Sequence, residues 1–145
     1  MVTTRIATSK IFLLSIVLGA FLLTGLSSCE KRVSPNKVER VIVKGSWKIT
    51  AFLYEDQNIE GSYSAITLGF GESGSLSLLP STGVTGNWEL GLGKKPTLLY
   101  LSGFFDPAYS LFNDDWTVVS CSKKTIRLES ESGAFLNKIT LTKVE

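Results

Sequence analysis

Residues 45–54 read GSWKITAFLY, and this stretch decides the fold of the 145-residue chain. Its side chains alternate along the chain with a period of two, which is typical of a β-strand with one face buried in a core. The alternation places Trp47, Ile49, Ala51 and Leu53 on one face and puts Phe52 on the other. We therefore expect a strand over residues 46–54 whose first inward side chain is a tryptophan.

The same alternation recurs seven more times, separated by turns rich in Gly, Ser, Asn and Asp. The predicted strands cover residues 46–54, 63–70, 75–79, 84–90, 97–102, 115–121, 125–130 and 135–143. No helical stretch between them is long enough for a crossover between parallel strands, so the sheet must be antiparallel. Eight short strands joined by hairpins can hide their edges by closing on themselves. The prediction is an all-β, eight-stranded antiparallel up-and-down barrel, with a two-sheet β-sandwich as the alternative.

The first 28 residues differ chemically from the rest. Arg5 and Lys10 precede an apolar run over residues 11–26, with no acidic residue among them. A basic segment, an apolar segment and a site of small residues together indicate a helical secretory signal peptide. The apolar core of this segment, residues 11–23, is shorter than the roughly 20 residues that a membrane-spanning helix needs.

Residues 26–29, LSSC, follow that apolar segment and resemble the lipobox of bacterial lipoproteins. The resemblance implies that Cys29 receives a diacylglycerol, that the chain is cut before it, and that the new amino group is acylated, with palmitate a typical acyl chain. The alternative is an uncleaved N-terminal anchor. The expected organisation is a signal peptide over residues 1–28, a lipidated tether over 29–44 and a barrel over 45–145. The protein would then lie in the cell envelope, attached to the outer membrane. The sequence does not decide between the periplasmic face and the cell surface.

Charge excludes one class of partner. Removing Arg5 and Lys10 leaves 13 basic and 13 acidic side chains. A domain without net charge has no general attraction for nucleic acid, whose binding depends on neutralising phosphates. The only charge-dense stretch is residues 30–44, interpreted as a solvated tether, with attraction to anionic headgroups as the alternative.

The sequence contains few of the residues and motifs that enzymes use for catalysis. It contains no histidine, which removes the commonest general base and most catalytic zinc sites. Neighbouring carboxylates, such as Asp114 and Asp115, fall in turns where such groups are usually solvated. Lipidation of Cys29 would leave Cys121 as the only thiol, and it lies in an apolar strand. We expect Cys121 to be a small buried apolar side chain, and we expect no catalysis, no cofactor and no metal.

Three tryptophan-bearing segments, GSW at 45–47, GNW at 86–88 and LFNDDWTV at 111–118, are followed by IRL at 126–128. This ordered set is similar to the lipocalin-like domains found in many lipoproteins of the Bacteroidota. The resemblance implies a small barrel in which Trp47 plugs the closed end. It also implies a basic residue beside that tryptophan, for which Lys143 is the candidate.

Loops of an up-and-down barrel alternate between its two ends. Residues 55–62 and 104–114 therefore share the end opposite Trp47, which we call the mouth. The second loop carries Phe104, Phe105, Tyr109 and Phe112. These aromatics either form a lid that completes the core or contact an apolar ligand or partner.

Two functions follow from these alternatives. One is the binding of a small apolar molecule in or at the mouth. The other is a structural or protein-interaction role, with a filled barrel that contacts another envelope protein. A cavity of several hundred Å³ would favour the first, and a filled barrel with an exposed apolar patch the second.

Overall fold

A computed structural model describes residues 33–80, 83–91, 93 and 96–144, so the predicted signal peptide and Cys29 lie outside the described residues. The chain order of its elements is α1 (Pro35–Ile42), β1 (Ser46–Tyr54), β2 (Gln57–Asn58), α2 (Glu60–Tyr63), β3 (Thr67–Phe70), β4 (Ser75–Leu79), β5 (Thr85–Leu90), β6 (Leu98–Ser102), a 3-10 helix (Ser110–Phe112), β7 (Asp114–Cys121), β8 (Thr125–Ser132) and β9 (Phe135–Lys143).

The sheet closes on itself. From β3 onward each strand pairs antiparallel with the next, and β9 returns to pair with β1, which also pairs with β3. The eight strands β1 and β3–β9 therefore form the predicted antiparallel up-and-down barrel, and β2 only extends the end of β1 as a small hairpin. Closure pairs the strands that would otherwise be open edges.

The interior of the barrel is filled with side chains. Apart from the second half of β1, the inward side chains that the alternation predicts are buried. The side chains with no exposed surface at all include Trp47, Ile49, Leu76, Leu78, Leu99, Trp116 and Ile126. A side chain that borders a water-sized void would retain some exposed surface. These residues, which come from five strands around the barrel, therefore pack against protein on all sides.

One inward face was predicted wrongly. Ala51 is exposed and Leu53 is only half-buried, whereas Phe52 is 1% exposed and belongs to the core. The cause is a shift in the register between β1 and β9, which falls between Ile49 and Ala51. An extra residue in one strand of an antiparallel pair reverses the faces of the residues that follow it.

The second predicted strand also begins too early. The structure starts β3 at Thr67, and residues 60–63 form the one-turn helix α2. Tyr63 is still buried, but it covers the end of the barrel instead of lining its wall. Ile66, Leu68 and Phe70 are buried as predicted.

Residues 35–44 are not a solvated tether, so that prediction is wrong. Val38, Val41 and Ile42 fit a helix or a strand equally well in sequence, and the structure forms the helix α1. Pro35 begins it, at a position where the missing N–H is not needed. Val38 and Ile42, one turn apart, are fully buried in the barrel core. The folded domain therefore includes α1, which closes one end of the barrel.

The described residues also bear on membrane insertion by a helix. Among them, no helix is long and apolar enough to cross a bilayer.

Candidate functional site: the barrel mouth

The two long loops meet at one end of the barrel, as the alternation of hairpins predicts. The Tyr63 hydroxyl, at the end of α2, donates a hydrogen bond of 2.8 Å to the carbonyl of Ala108 in the β6–β7 loop. Trp47 lies at the opposite end, where its indole N–H donates a 2.8 Å hydrogen bond to the carbonyl of Ile42 in α1. The mouth and the helix-capped end are therefore distinct surfaces.

A cluster of aromatic rings closes the mouth. Phe112 lies at its centre and has no exposed surface. Its ring centroid is 5.8 Å from that of Phe52, 5.3 Å from Tyr63 and 5.7 Å from Phe104. The Phe52 ring is stacked with that of Phe112, and the rings of Tyr63 and Phe104 meet it edge to face. Offset-stacked and edge-to-face contacts are the favoured geometries for aromatic pairs. Burial raises the pKa of the Tyr63 hydroxyl, and the neighbouring Tyr109 raises it further.

Polar contacts hold the loop that carries this cluster. The Asn113 side chain accepts a hydrogen bond from the Phe104 amide at 3.0 Å and donates one to the Phe104 carbonyl at 2.8 Å. The Trp116 indole donates to the Phe112 carbonyl at 3.0 Å. Gly86 leaves room for the lid, because a Cβ at that position would lie 2.6 Å from Cζ of Phe104. The lid is therefore built into the core.

The four aromatic residues singled out in the sequence occupy different environments. Phe104 is 2% exposed and Phe112 is fully buried, so both are lid residues in contact with the core. Tyr109 is half-buried and stacks on Phe112. Phe105 is 94% exposed. Of the four, only Phe105 presents its whole ring to a partner without the lid opening.

Trp47 and Lys143, the candidate plug of the closed end, are paired across β1 and β9. Trp47 is fully buried, and Lys143 stands directly opposite it in the β1–β9 ladder. The Lys143 side chain runs across Gly45, where an added Cβ would lie 2.5 Å from its Cε. The closed end therefore places a lysine beside α1.

The barrel wall divides at the mouth between β7 and β8. Their ladder ends at Thr117 opposite Glu129. Above that point, residues 114–116 pair with β6, and residues 130–132 pair with β9. The gap opens into a groove of about 560 Å³, which we call the split groove. It is lined by Asp114, Asp115, Thr117, Glu129, Ser130, Glu131 and Leu136.

Two buried polar groups face each other below this groove. Ser130 and Asn137 are opposite one another in the β8–β9 ladder and are 4% and 0% exposed. The side-chain Oδ1 of Asn137 accepts a hydrogen bond from the Glu55 backbone N–H at 3.0 Å, but the Asn137 Nδ2 and the Ser130 Oγ have no protein partner. Leaving such a group unpaired costs about 1–3 kcal/mol. Ser130 also lines the split groove, although its hydroxyl is buried.

Neither Ser130 nor Asn137 was singled out from the sequence, although a signal for them exists. Each is a polar residue at a position where the alternation calls for an inward side chain. Ser130 follows Ile126 and Leu128, and Asn137 precedes Ile139. A polar residue at such a position predicts a buried polar group, which needs a hydrogen-bond partner.

The charges of the domain are unevenly distributed between its ends, although Glu39, Glu72 and Glu89 lie beside α1. Acidic side chains gather on the mouth half, namely Glu55, Asp56, Glu60, Asp106, Asp114, Asp115, Glu129 and Glu131. In the described part of the chain, Lys138 is the only basic residue of that half, and it pairs with Glu129 at 3.5 Å. The net charge of the sequence does not reveal this distribution, because residues can be assigned to one end of the barrel or the other only once the strands are connected.

The described residues include one free cysteine, Cys121. No group of three His, Cys, Asp or Glu side chains within them is placed to hold a metal ion. Cys121 is 5% exposed, and burial raises the pKa of its thiol while the nearby Lys37 ammonium partly opposes the shift. A buried thiol with a raised pKa is a poor nucleophile.

No family model matches this chain, and neither curated proteins nor solved structures give a significant match. The fold itself therefore defines the class, which is that of closed, eight-stranded antiparallel up-and-down barrels.

Proposed function

We propose that this protein is a lipid-anchored, non-enzymatic component of the cell envelope, whose filled barrel binds a protein partner instead of carrying a small apolar molecule. The observation that carries the proposal is the filled interior. Trp47, Trp116 and Phe112 span the barrel from the closed end to the lid, and none of them has exposed surface. A ligand inside would have to displace these rings, and overfilling a packed core costs about 1–3 kcal/mol or more.

The partner contacts the split groove with an extended, basic segment. Two observations support this chemistry. The carboxylates that line the groove, among them Asp115 and Glu131, attract a positively charged chain. The edges of β7 and β8 no longer pair with each other there, and such edges can accept an added strand.

Apolar contacts at the same end would add affinity. Phe135 and Leu136, at the start of β9, are 41% and 39% exposed, and Leu136 lines the groove. Exposed apolar side chains beside a charged groove are typical of protein-interaction sites.

A pair of photo-crosslinking positions tests the proposal in living cells. A crosslinking amino acid at Leu136 reports on the groove, and one at Val119 is the matched control, because Val119 is similarly exposed on the outer wall of β7. We expect Leu136 to capture a partner through a Lys- or Arg-rich peptide that Val119 does not reach. Equal capture at both positions, or capture through an acidic peptide, would refute the groove as the site.

Removing charge sharpens the same experiment. Asp115→Asn with Glu131→Gln should reduce crosslinking from Leu136 by on the order of tenfold, equivalent to about 1.4 kcal/mol. The control pair Glu72→Gln with Glu89→Gln removes the same charge from a separate cleft beside α1 and should leave crosslinking unchanged.

The lipid anchor has its own test. Labelling cells with a radioactive fatty acid should mark the wild-type protein and leave Cys29→Ala unlabelled. Equal labelling of the two would reject attachment through Cys29.

A further inference from the structure

The helix-capped end of the barrel carries a cleft lined almost entirely by basic side chains. Lys37, Arg40 and Lys44 follow one another along one side of α1 and just beyond it, at a spacing that places them on the same face. Lys123 joins them from the β7–β8 turn and Lys143 from the end of β9. The cleft has a volume of about 500 Å³, and we call it the basic cleft.

No described acidic side chain forms a salt bridge with these five residues. Among the described residues, the only salt bridge joins Lys138 and Glu129, far from this cleft. Glu39 of α1 lies on another side of the helix, where it lines a separate cleft with Glu72 and Glu89. Like charges held around one concave surface raise its positive potential, which attracts an anion.

The basic cleft lies at the end of the barrel where the described chain begins, and this indicates which anion it binds. The described chain begins at Val33, whose carbonyl accepts a 2.6 Å hydrogen bond from the Thr97 hydroxyl at the start of β6. Three residues lie between Cys29 and Val33, and the four steps of chain that join them span at most about 14 Å when extended. A lipid on Cys29 would therefore hold this end of the barrel close to the bilayer surface.

We propose that the basic cleft binds the phosphate headgroups of anionic lipids in the membrane that holds Cys29. This inference rests on the lipid attachment put forward above, since the anchor gives the headgroups a high effective concentration at the cleft. Binding stands the barrel on its α1 end. The acidic mouth and the split groove then face away from the membrane, where a partner can reach them.

Charge separation reinforces this orientation. An anionic surface attracts the end that carries Lys37, Arg40 and Lys123, and it repels the end that carries Asp114 and Asp115. A domain without net side-chain charge is thus aligned by the distribution of its charges.

The test uses the full-length acylated protein in vesicles of phosphatidylcholine alone and in vesicles that also contain phosphatidylglycerol. An amine-acetylating reagent labels the lysines, and mass spectrometry follows the rate at each one. We expect Lys37, Lys44 and Lys123 to react several-fold more slowly in the anionic vesicles, and high salt to remove the difference. Lys138, which pairs with Glu129 on the mouth half, should react equally in both. Equal rates for the cleft lysines in both kinds of vesicle would overturn the proposal.

A matched pair of variants separates the basic cleft from net charge. Lys37→Gln with Lys123→Gln should abolish the protection of Lys44 by anionic vesicles. Lys48→Gln with Arg127→Gln removes the same charge from exposed positions on the wall and should preserve that protection. Loss of protection in both variants, or in neither, would contradict a specific cleft.

Two further measurements distinguish the other outcomes. Glycerol phosphate added to the phosphatidylcholine vesicles, at the same total headgroup concentration, should not protect the cleft lysines. Equal protection would assign the cleft to a free phosphate compound instead of the membrane. The mass of the N-terminal peptide reports the anchor independently. If Cys29 is unmodified, the anchor is refuted, and the labelling rates in anionic vesicles still decide whether the cleft binds headgroups.

Discussion

Truncation of Phe112 tests whether the aromatic cluster that closes the mouth contributes to the stability of the core. Phe112 has no exposed surface and contacts Phe52, Tyr63 and Phe104 through ring centroids 5.3–5.8 Å apart. Removing a buried phenylalanine ring costs about 3–5 kcal/mol, since the cavity closes only partly. Small domains have roughly 5–15 kcal/mol of stability in total, so Phe112→Ala should remove a large fraction of it.

The expected change in melting temperature follows from this cost. About 1 kcal/mol shifts the midpoint of a domain of this size by roughly 4 °C. Phe112→Ala should therefore lower the midpoint by more than about 10 °C, measured on the full-length protein in neutral detergent by near-ultraviolet circular dichroism, which reports the packing of Trp116 and the other rings.

Phe105 supplies the matched control, because it has the same side chain in the same loop but is 94% exposed. Phe105→Ala should change stability by less than about 0.5 kcal/mol, or about 2 °C. Similar losses for the two variants would show that Phe105 packs as the lid does. A midpoint unchanged by Phe112→Ala would refute the closed mouth.

Three other predictions test different parts of the fold. Trp47→Ala should destabilise the domain by about 3–5 kcal/mol in urea melts. Lys48 points outward, so Lys48→Ala should cost less than about 0.5 kcal/mol. Equal losses of stability in the two variants would refute the assigned faces of β1. Gly86→Ala puts a Cβ 2.6 Å from a lid ring and should cost about 1–3 kcal/mol, while Gly61→Ala, with nothing within 4 Å, should be tolerated. Stability should also fall as the pH rises above about 9, because the Cys121 thiol ionises in the unfolded chain from its ordinary pKa of 9.0 while burial raises the pKa in the folded one. Cys121→Ala should weaken that dependence, and an unchanged slope would contradict the raised pKa.

The sequence predicted the barrel because its inward positions are marked by large apolar side chains with a period of two. The structure keeps β1, β4 and β9 at their predicted bounds, and the other predicted strands from the fourth onward end within two residues of prediction. The sequence does not decide between a helix and a strand for α1, since Val38, Val41 and Ile42 fit either period. Its burial depends on contact with the barrel end, which local sequence does not specify.

The features that position the candidate sites depend on long-range pairing. The reversal at Phe52 follows from the register between β1 and β9, which are distant in the chain. The split groove exists because β7 leaves β8 above Thr117. The basic cleft combines α1 with Lys123 and Lys143, which only the closed topology brings together.

Native mass spectrometry of the protein extracted from its membrane in neutral detergent tests the filled barrel most directly. Gentle removal of the detergent preserves any small molecule enclosed by the β-strands. The account predicts the mass of the acylated chain from Cys29 onward, with no apolar molecule bound inside the barrel. A stoichiometric apolar adduct that survives the transfer and is lost only when the barrel unfolds would contradict it.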